Sequence, residues 1–373
     1  MTLHVPEEQS VDDRESALFV KALGERRDRV YDYLETWPGA EAFQPRDIHD
    51  GIFSYIKSRG KALRPIVLML SCAAVGGDEE QALPAAAAVE VFHTWTLVHD
   101  DIIDRDATRR GSPTVHALYT RHAQDSHGLD PKDAAHYGTA VAILTGDLQQ
   151  SWCYDLLGSL AERGVPDEVI LCLMRRMAGV LTPQLMEGEM LDVQFSLMPL
   201  EELSEADILR MLTRKTAALL EFAAWSGAII GTGDVTDQNG TAARLGRFAS
   251  LCGTAFQLQD DVLGLTADEE VLGKPVGSDL REGKRTLLVY KALEKADHIG
   301  RSAILAALGN PDANASQIGS ALGAIQASGA IVDIRQLAND YVSQAANELS
   351  LLADSPQKSL LKSWATFLLS RDH

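Results

Sequence analysis

The stretch Leu83–Val98 is apolar nearly all the way round a helical wheel, and it runs straight into the acidic cluster Asp100, Asp101 and Asp104. A helix without a polar face cannot lie on a protein surface, so other helices must enclose it. Ala217–Ile230 is a second such run. Ala, Leu, Glu, Met and Gln fill long segments elsewhere, and the chain lacks the sustained apolar/polar alternation of half-buried strands. The periodicity predicts helices over about 12–36, 46–58, 63–76, 80–104, 134–161, 166–197, 204–232 and 236–264, with shorter ones after 283. Pro183 falls inside one of them and should kink it. Stops are marked by Gly76-Gly77, Gly111-Ser112-Pro113, Gly231-Thr232-Gly233 and Gly309-Asn310-Pro311. The polar stretch 123–135 reads as an exposed loop without a role, and residues 1–12 as a frayed end. With no linker, repeat or low-complexity tract, the expectation is a single all-α domain over 1–373.

Charge narrows the function. The 373 residues include 34 Lys and Arg against 53 Asp and Glu, a formal net charge of −19. Such a field repels nucleic acid and anionic lipid, so an anionic ligand would need a local basic site. Cys72, Cys153, Cys172 and Cys252 are scattered, which suits free thiols in a reducing compartment. The acidic N-terminus has no apolar signal core, and no apolar run reaches a membrane span of ~18 residues. A cytoplasmic protein without nucleic-acid partners or a transmembrane anchor is the expectation.

Asp100 and Asp104 are four apart on a predicted helix and so share a face, whereas Asp101 points about 100° away. Two carboxylates that close repel unless a cation lies between them. Hard divalent ions such as Mg²⁺ accept carboxylate oxygens and complete their shell with water and substrate phosphates. By itself the cluster reads better as a charged helix end facing water; the apolar approach to it favours the mouth of a cavity. Arg109 and Arg110 follow at once in a loop closed by Gly111, and guanidinium groups grip phosphate. A second apolar helix ends in Gln257, Asp260 and Asp261, and the glycine-broken basic loop after it carries Lys274 and Lys284. Lys61 and Arg64 stand at another helix start, where N–H groups favour anions. Lys215 and Thr216 open the apolar run at 217. Together these residues describe a site for a polyanionic head held by metal, joined to a long hydrocarbon tail.

In order along the chain stand GKALRP, HTWTLVHDDIIDRDATRRG, TGDLQ, GEMLD, RKT, FQLQDD and GKPVGSDLREGKRTL. This ordered set resembles the trans-isoprenyl diphosphate synthases, the polyprenyl synthetase family, from about residue 50 to 290 and onward. The resemblance implies a single large helical bundle around a deep apolar cavity, usually a homodimer. Asp100, Asp104 and Asp260 would hold about three Mg²⁺ ions. Arg109, Lys215, Lys274 and Lys284 would clamp an allylic diphosphate, and Lys61, Arg64, His93 and Arg110 would bind isopentenyl diphosphate. Thr216 and Gln257 would line the reacting centre. Trp95 and Thr96, just upstream of the acidic motif, would limit tail length and favour a geranylgeranyl product over solanesyl-like chains.

Two departures stand out. The second acidic motif has Gly264 where the family commonly has a third Asp, with Asp268 as a conceivable substitute. The first basic motif reads Arg59-Gly60-Lys61 where the family often has two glycines, a change expected to have little effect. The competing readings are a farnesyl diphosphate synthase, a class I terpene cyclase, and a non-catalytic subunit of a hetero-oligomeric synthase. The basic groups Lys61, Arg64 and Arg110 argue against the cyclase, which needs no second diphosphate site. The complete first acidic motif argues against the subunit.

Overall fold

The computed structural model describes residues 11–109, 111–236, 240–266 and 277–369, apart from the side chains of 11–17 and 369. The chain runs through helices α1 (Val11–Glu35), α2 (Arg46–Lys57), α3 (Leu63–Ala74), α4 (Glu79–Ile103), α5 (Val115–His127), α6 (Pro131–Gly158), α7 (Asp167–Arg176), α8 (Thr182–Leu197), α9 (Glu205–Leu212), α10 (Ala218–Thr232) and α11 (Thr241–Thr266). After these come α12 (Ser278–Glu282), α13 (Leu287–Lys295), α14 (His298–Ala307), α15 (Ala315–Ser328), α16 (Ala330–Leu349) and α17 (Pro356–Leu369). Among the described residues the only sheet is a two-stranded clip, Thr108–Arg109 against Ser112–Pro113. The fold is all-α, as the apolar periodicity requires.

The two all-apolar runs are enclosed as expected. Every residue from Ala82 to Phe92 on α4 is buried, and so is α10 from Ala218 to Ile230 except Glu221. α10 packs between α3 and α11, while α4 packs on α3 and α6. The α3–α10 approach is close enough that a Cβ at Gly227 would stand 2.0 Å from the Leu68 carbonyl oxygen. The interior falls into two apolar clusters. One is built on α1–α7, α10 and α17, the other on α9 and α12–α15, and α8 and α16 contribute to both. α11 also belongs to both: Phe248 and Cys252 pack in the first, Leu258 and Val262 in the second. Gln257, Asp260 and Asp261 therefore stand near the seam.

One local expectation is corrected, and two predicted helices carry a local irregularity. The stretch 123–135 is mostly helix: α5 ends at His127, Gly128 caps it with φ 65°, and Asp130 opens α6 by accepting from the Lys132 and Asp133 N–H groups. Capping chemistry, not an apolar stripe, holds these polar helix ends. The predicted helix 166–197 is found over Asp167–Leu197, with a local π turn at Met177–Leu181 just before Pro183. A proline inside a continuing helix removes one N–H donor from the turn before it, and the π turn stands at that place. A second π turn, Thr213–Ala217, lies within the predicted helix 204–232, whose helical backbone continues through it.

The stretch 167–197 is, among the described residues, long and apolar enough to cross a membrane by length and composition. It contains the π turn, and it carries Glu189 and Asp192, both paired with Lys215. The four cysteines are free thiols, three of them buried.

Candidate active site

The C-terminal end of α4 presents Asp100 and Asp104 on one face and turns Asp101 inward. Asp101 is buried, accepts from the Tyr55 hydroxyl, and receives Arg109 Nε at 2.6 Å. Burial pushes the Asp101 carboxyl up to about 6, against the opposing pull of Arg109 and Tyr55. The strand pair turns Arg109 back toward α4, so that its Nη2 also stands 3.1 Å from Asp100 Oδ2. Asp101 thus orients the arginine that Asp100 shares.

Two lysines from distant segments close on the other carboxylates. Lys215 Nζ, projecting from the π turn, lies 3.2 Å from Asp100 Oδ1, 3.0 Å from Glu189 Oε2 and 2.7 Å from Asp192 Oδ2. Lys284 Nζ lies 2.6 Å from Asp104 Oδ2 and 3.1 Å from Glu282 Oε2. Burial would lower both ammonium groups, but the surrounding carboxylates outweigh it and hold them above their usual range. Burial would likewise raise Asp100, yet Lys215, Arg109 and Lys284 keep it below the usual carboxylate range. Burial pushes Asp104 up, and pushes Glu189 up to about 7.

Opposite stands α11. Thr216 Oγ1 donates to Gln257 Oε1 at 3.1 Å, and Gln257 Nε2 donates to Asp261 Oδ1 at 2.9 Å. The sequence spacing put Gln257 and Asp261 on one face, and the hydrogen bond shows that they share it. Burial drives Asp261 up to about 8, with Asp279 and Asp260 adding to the rise. At Gly264 a Cβ would stand 3.2 Å from Asp279 Oδ2, so a carboxylate from α12 approaches the third motif position through space. Asp268 lies outside the described residues.

One cavity of about 640 Å³ gathers most of these groups: Lys61, Arg64, His93, Thr96, Asp100, Arg109, Lys215, Thr216, Gln257 and Asp260 all line it. Arg27 and Arg59 line it as well, and Arg64 Nη1 lies 3.3 Å from His93 Nε2. Leu97, Leu185 and Phe256 supply apolar wall. Asp104 reaches the cluster through Lys284. Trp95 is placed differently: it is 4% exposed and packs edge-on against Phe92 at 4.7 Å, while its neighbour Thr96 faces the cavity. Arg110 and Lys274 lie outside the described residues.

Glu189, Asp192 and Tyr55 were not singled out from the sequence. The signal for the first two was present in GEMLD: an acidic pair three apart shares a helix face. Gly188 before them is required because its Cβ would stand 2.3 Å from the Lys215 N. That close approach brings α8 onto the π turn and its carboxylates onto the lysine.

The donor set suits a hard divalent ion. It is made of carboxylate oxygens, and the buried Asp100 Oδ1 has no hydrogen-bond partner of good geometry although Lys215 stands 3.2 Å away. Carboxylates that take lysine and arginine as counter-ions can exchange them for metal, which releases the cations toward an anionic ligand.

Residues 46–325 match the family model described as Polyprenyl synthetase. A geranylgeranyl diphosphate synthase from Sulfolobus acidocaldarius is 37% identical over 330 residues, covering 87% of this chain and 91% of that protein. The crystal structure of geranylgeranyl pyrophosphate synthetase from Pyrococcus horikoshii superposes with a TM-score of 0.79 at 32% identity, over 96% of this chain and 100% of that one. A geranylgeranyl pyrophosphate synthase from Corynebacterium glutamicum, complexed with isoprenyl diphosphate and magnesium, gives a TM-score of 0.81 at 28% identity, covering 94% of this chain and 99% of that one.

Proposed function

Because the chain belongs to the polyprenyl synthetase family, we propose that its cavity condenses isopentenyl diphosphate with an allylic diphosphate and releases geranylgeranyl diphosphate. The enzyme is a prenyltransferase of isoprenoid biosynthesis. The observation that carries this reading is the pairing of two anion sites in one cavity. Arg64 and His93 form one pair on its wall, and Asp100 with Arg109 and Lys215 forms a second cluster on the same wall. A prenyl elongation needs two diphosphates at once; a cyclase needs one.

Lys61, Arg64 and His93 hold the isopentenyl diphosphate, with Arg110 assigned to the same substrate. Arg109, Lys215 and Lys284 face the allylic diphosphate, with Lys274 assigned beside them. Asp100, Asp104 and Asp260 would hold about three Mg²⁺ ions, which, when bound, neutralise charge building on the leaving diphosphate. The three described cations then stabilise the same charge as the C–O bond ionises. The Thr216–Gln257 hydrogen bond fixes the Gln257 amide oxygen beside the place where the allylic cation forms. The isopentenyl double bond attacks that cation, a new C–C bond forms, and the lost proton goes to the departing diphosphate. Apolar wall from Leu97, Leu185 and Phe256 keeps water from the cation. Thr96 limits the tail from the cavity wall, and Trp95 acts on tail length from the core, where it packs against Phe92. The reading includes a single domain, a homodimer and a cytoplasmic location.

The test is diphosphate release with each substrate alone and with both. Release only when isopentenyl and allylic diphosphates are present together supports elongation. Release from an allylic diphosphate alone, with a hydrocarbon product, would assign the cavity to a cyclase.

A further inference from the structure

The loop that carries Lys61 is strained, and an N-terminal helix holds it. Arg59 and Ala62 flank Gly60-Lys61 with φ of 41° and 50°, the left-handed region that side-chain-bearing residues avoid. Two such residues in four persist only where the surroundings fix them.

Those surroundings are α1. Arg59 Nη2 lies 2.9 Å from Asp32 Oδ1 and 2.9 Å from Glu35 Oε2, and its Nη1 lies 3.8 Å from Asp28 Oδ1. The Arg59 guanidinium also covers the Tyr31 ring, 5.7 Å from its centroid. The Gly60 N–H donates to the Tyr31 hydroxyl at 2.6 Å, and that hydroxyl donates to Glu90 Oε1 on α4 at 2.6 Å. Tyr31 is 1% exposed and Glu90 6%, so the relay is shielded from water. Glu90, Arg59 and Lys61 all line the cavity. α1 lies wholly before the family match, which begins at residue 46.

We propose that α1 sets the isopentenyl diphosphate site of this enzyme: Tyr31 and the carboxylates that tether Arg59 hold the 58–62 loop in the strained conformation that presents Lys61. This rests on the assignment of Lys61 to that substrate. Tyr31 and Arg59 are positioning residues. The tether compensates for an arginine where the backbone conformation suits glycine.

The test compares Arg59→Ala, Arg59→Gly and Tyr31→Phe in the full chain, with KM measured for each substrate while the other saturates. Arg59→Ala loses the tether but keeps the steric penalty, so KM for isopentenyl diphosphate rises about five- to tenfold. Arg59→Gly also loses the tether but removes the penalty, so most of that loss is recovered. Tyr31→Phe raises the same KM about fivefold, the effect of one hydrogen bond, while KM for the allylic substrate and kcat change less than about twofold. Equal behaviour of the alanine and glycine variants, or unchanged KM in Tyr31→Phe, would overturn the proposal. Circular dichroism and thermal unfolding exclude misfolding as the cause. A wild-type protein that elongates nothing would instead defeat the functional assignment.

Discussion

Lys284 Nζ stands 2.6 Å from Asp104 Oδ2, although 180 positions separate the two residues in the chain. The contact ties α4 to the segment just after α12 and supplies a cation to a carboxylate that burial has pushed above its usual range. Removing it should hurt twice. Lys284→Met should lower kcat/KM for the allylic substrate about 10²-fold, because a cation facing the leaving diphosphate is gone. It should also lower the melting temperature of the metal-free protein, because Asp104 loses its closest counter-ion. Steady-state kinetics and thermal unfolding in EDTA check the two effects separately.

Gly264 invites an engineering error. Restoring a third carboxylate to the second acidic motif with Gly264→Asp looks like a repair. The new side chain would start 3.2 Å from Asp279 Oδ2 and add charge beside Asp261, which burial already drives up to about 8. The variant should lose about 1 kcal/mol or more of stability and should not gain activity. Urea unfolding and initial rates at fixed Mg²⁺ measure both.

Asp261 makes stability depend on pH. Its folded pKa of about 8 lies above the unfolded value of 3.8, so the folded state binds the extra proton. The resulting stabilisation is complete below the unfolded pKa and is lost as pH rises through about 8. Asp261→Asn should therefore raise the melting temperature at pH 8 in EDTA by about 2 °C or more, with a smaller gain at pH 5.5. Equal shifts at both pH values would contradict the assignment.

Tail length should answer to Thr96 before Trp95. Thr96 lines the cavity, so Thr96→Phe should shorten the main product by one isoprene unit, read by mass spectrometry. Trp95 packs on Phe92 in the core, so Trp95→Ala should cost about 3–5 kcal/mol of stability, whatever it does to chain length.

What was legible in the sequence follows from the range of the physics involved. The enclosed α4 and α10, and the shared faces of Asp100 with Asp104 and of Gln257 with Asp261, are consequences of helical period. Each is visible within a few residues. The Glu189–Asp192–Lys215 cluster needs the close approach at Gly188 and a π turn, neither of which leaves a periodic mark. The Tyr31–Gly60 hydrogen bond joins α1 to a loop 29 positions away, and the Arg59 conformation is a backbone property. The substitution at Arg59, expected from the sequence to have little effect, is the point at which α1 becomes necessary. The polar helix ends at 123–135 were misread because caps, rather than apolar spacing, specify them.

The most direct test of the account is a mass-spectrometric product assay. The purified protein is incubated with isopentenyl diphosphate, one allylic diphosphate at a time, and Mg²⁺. The account predicts a dominant twenty-carbon diphosphate, no elongation in EDTA, and recovery when Mg²⁺ is restored. A folded protein that elongates no allylic primer under these conditions would contradict it.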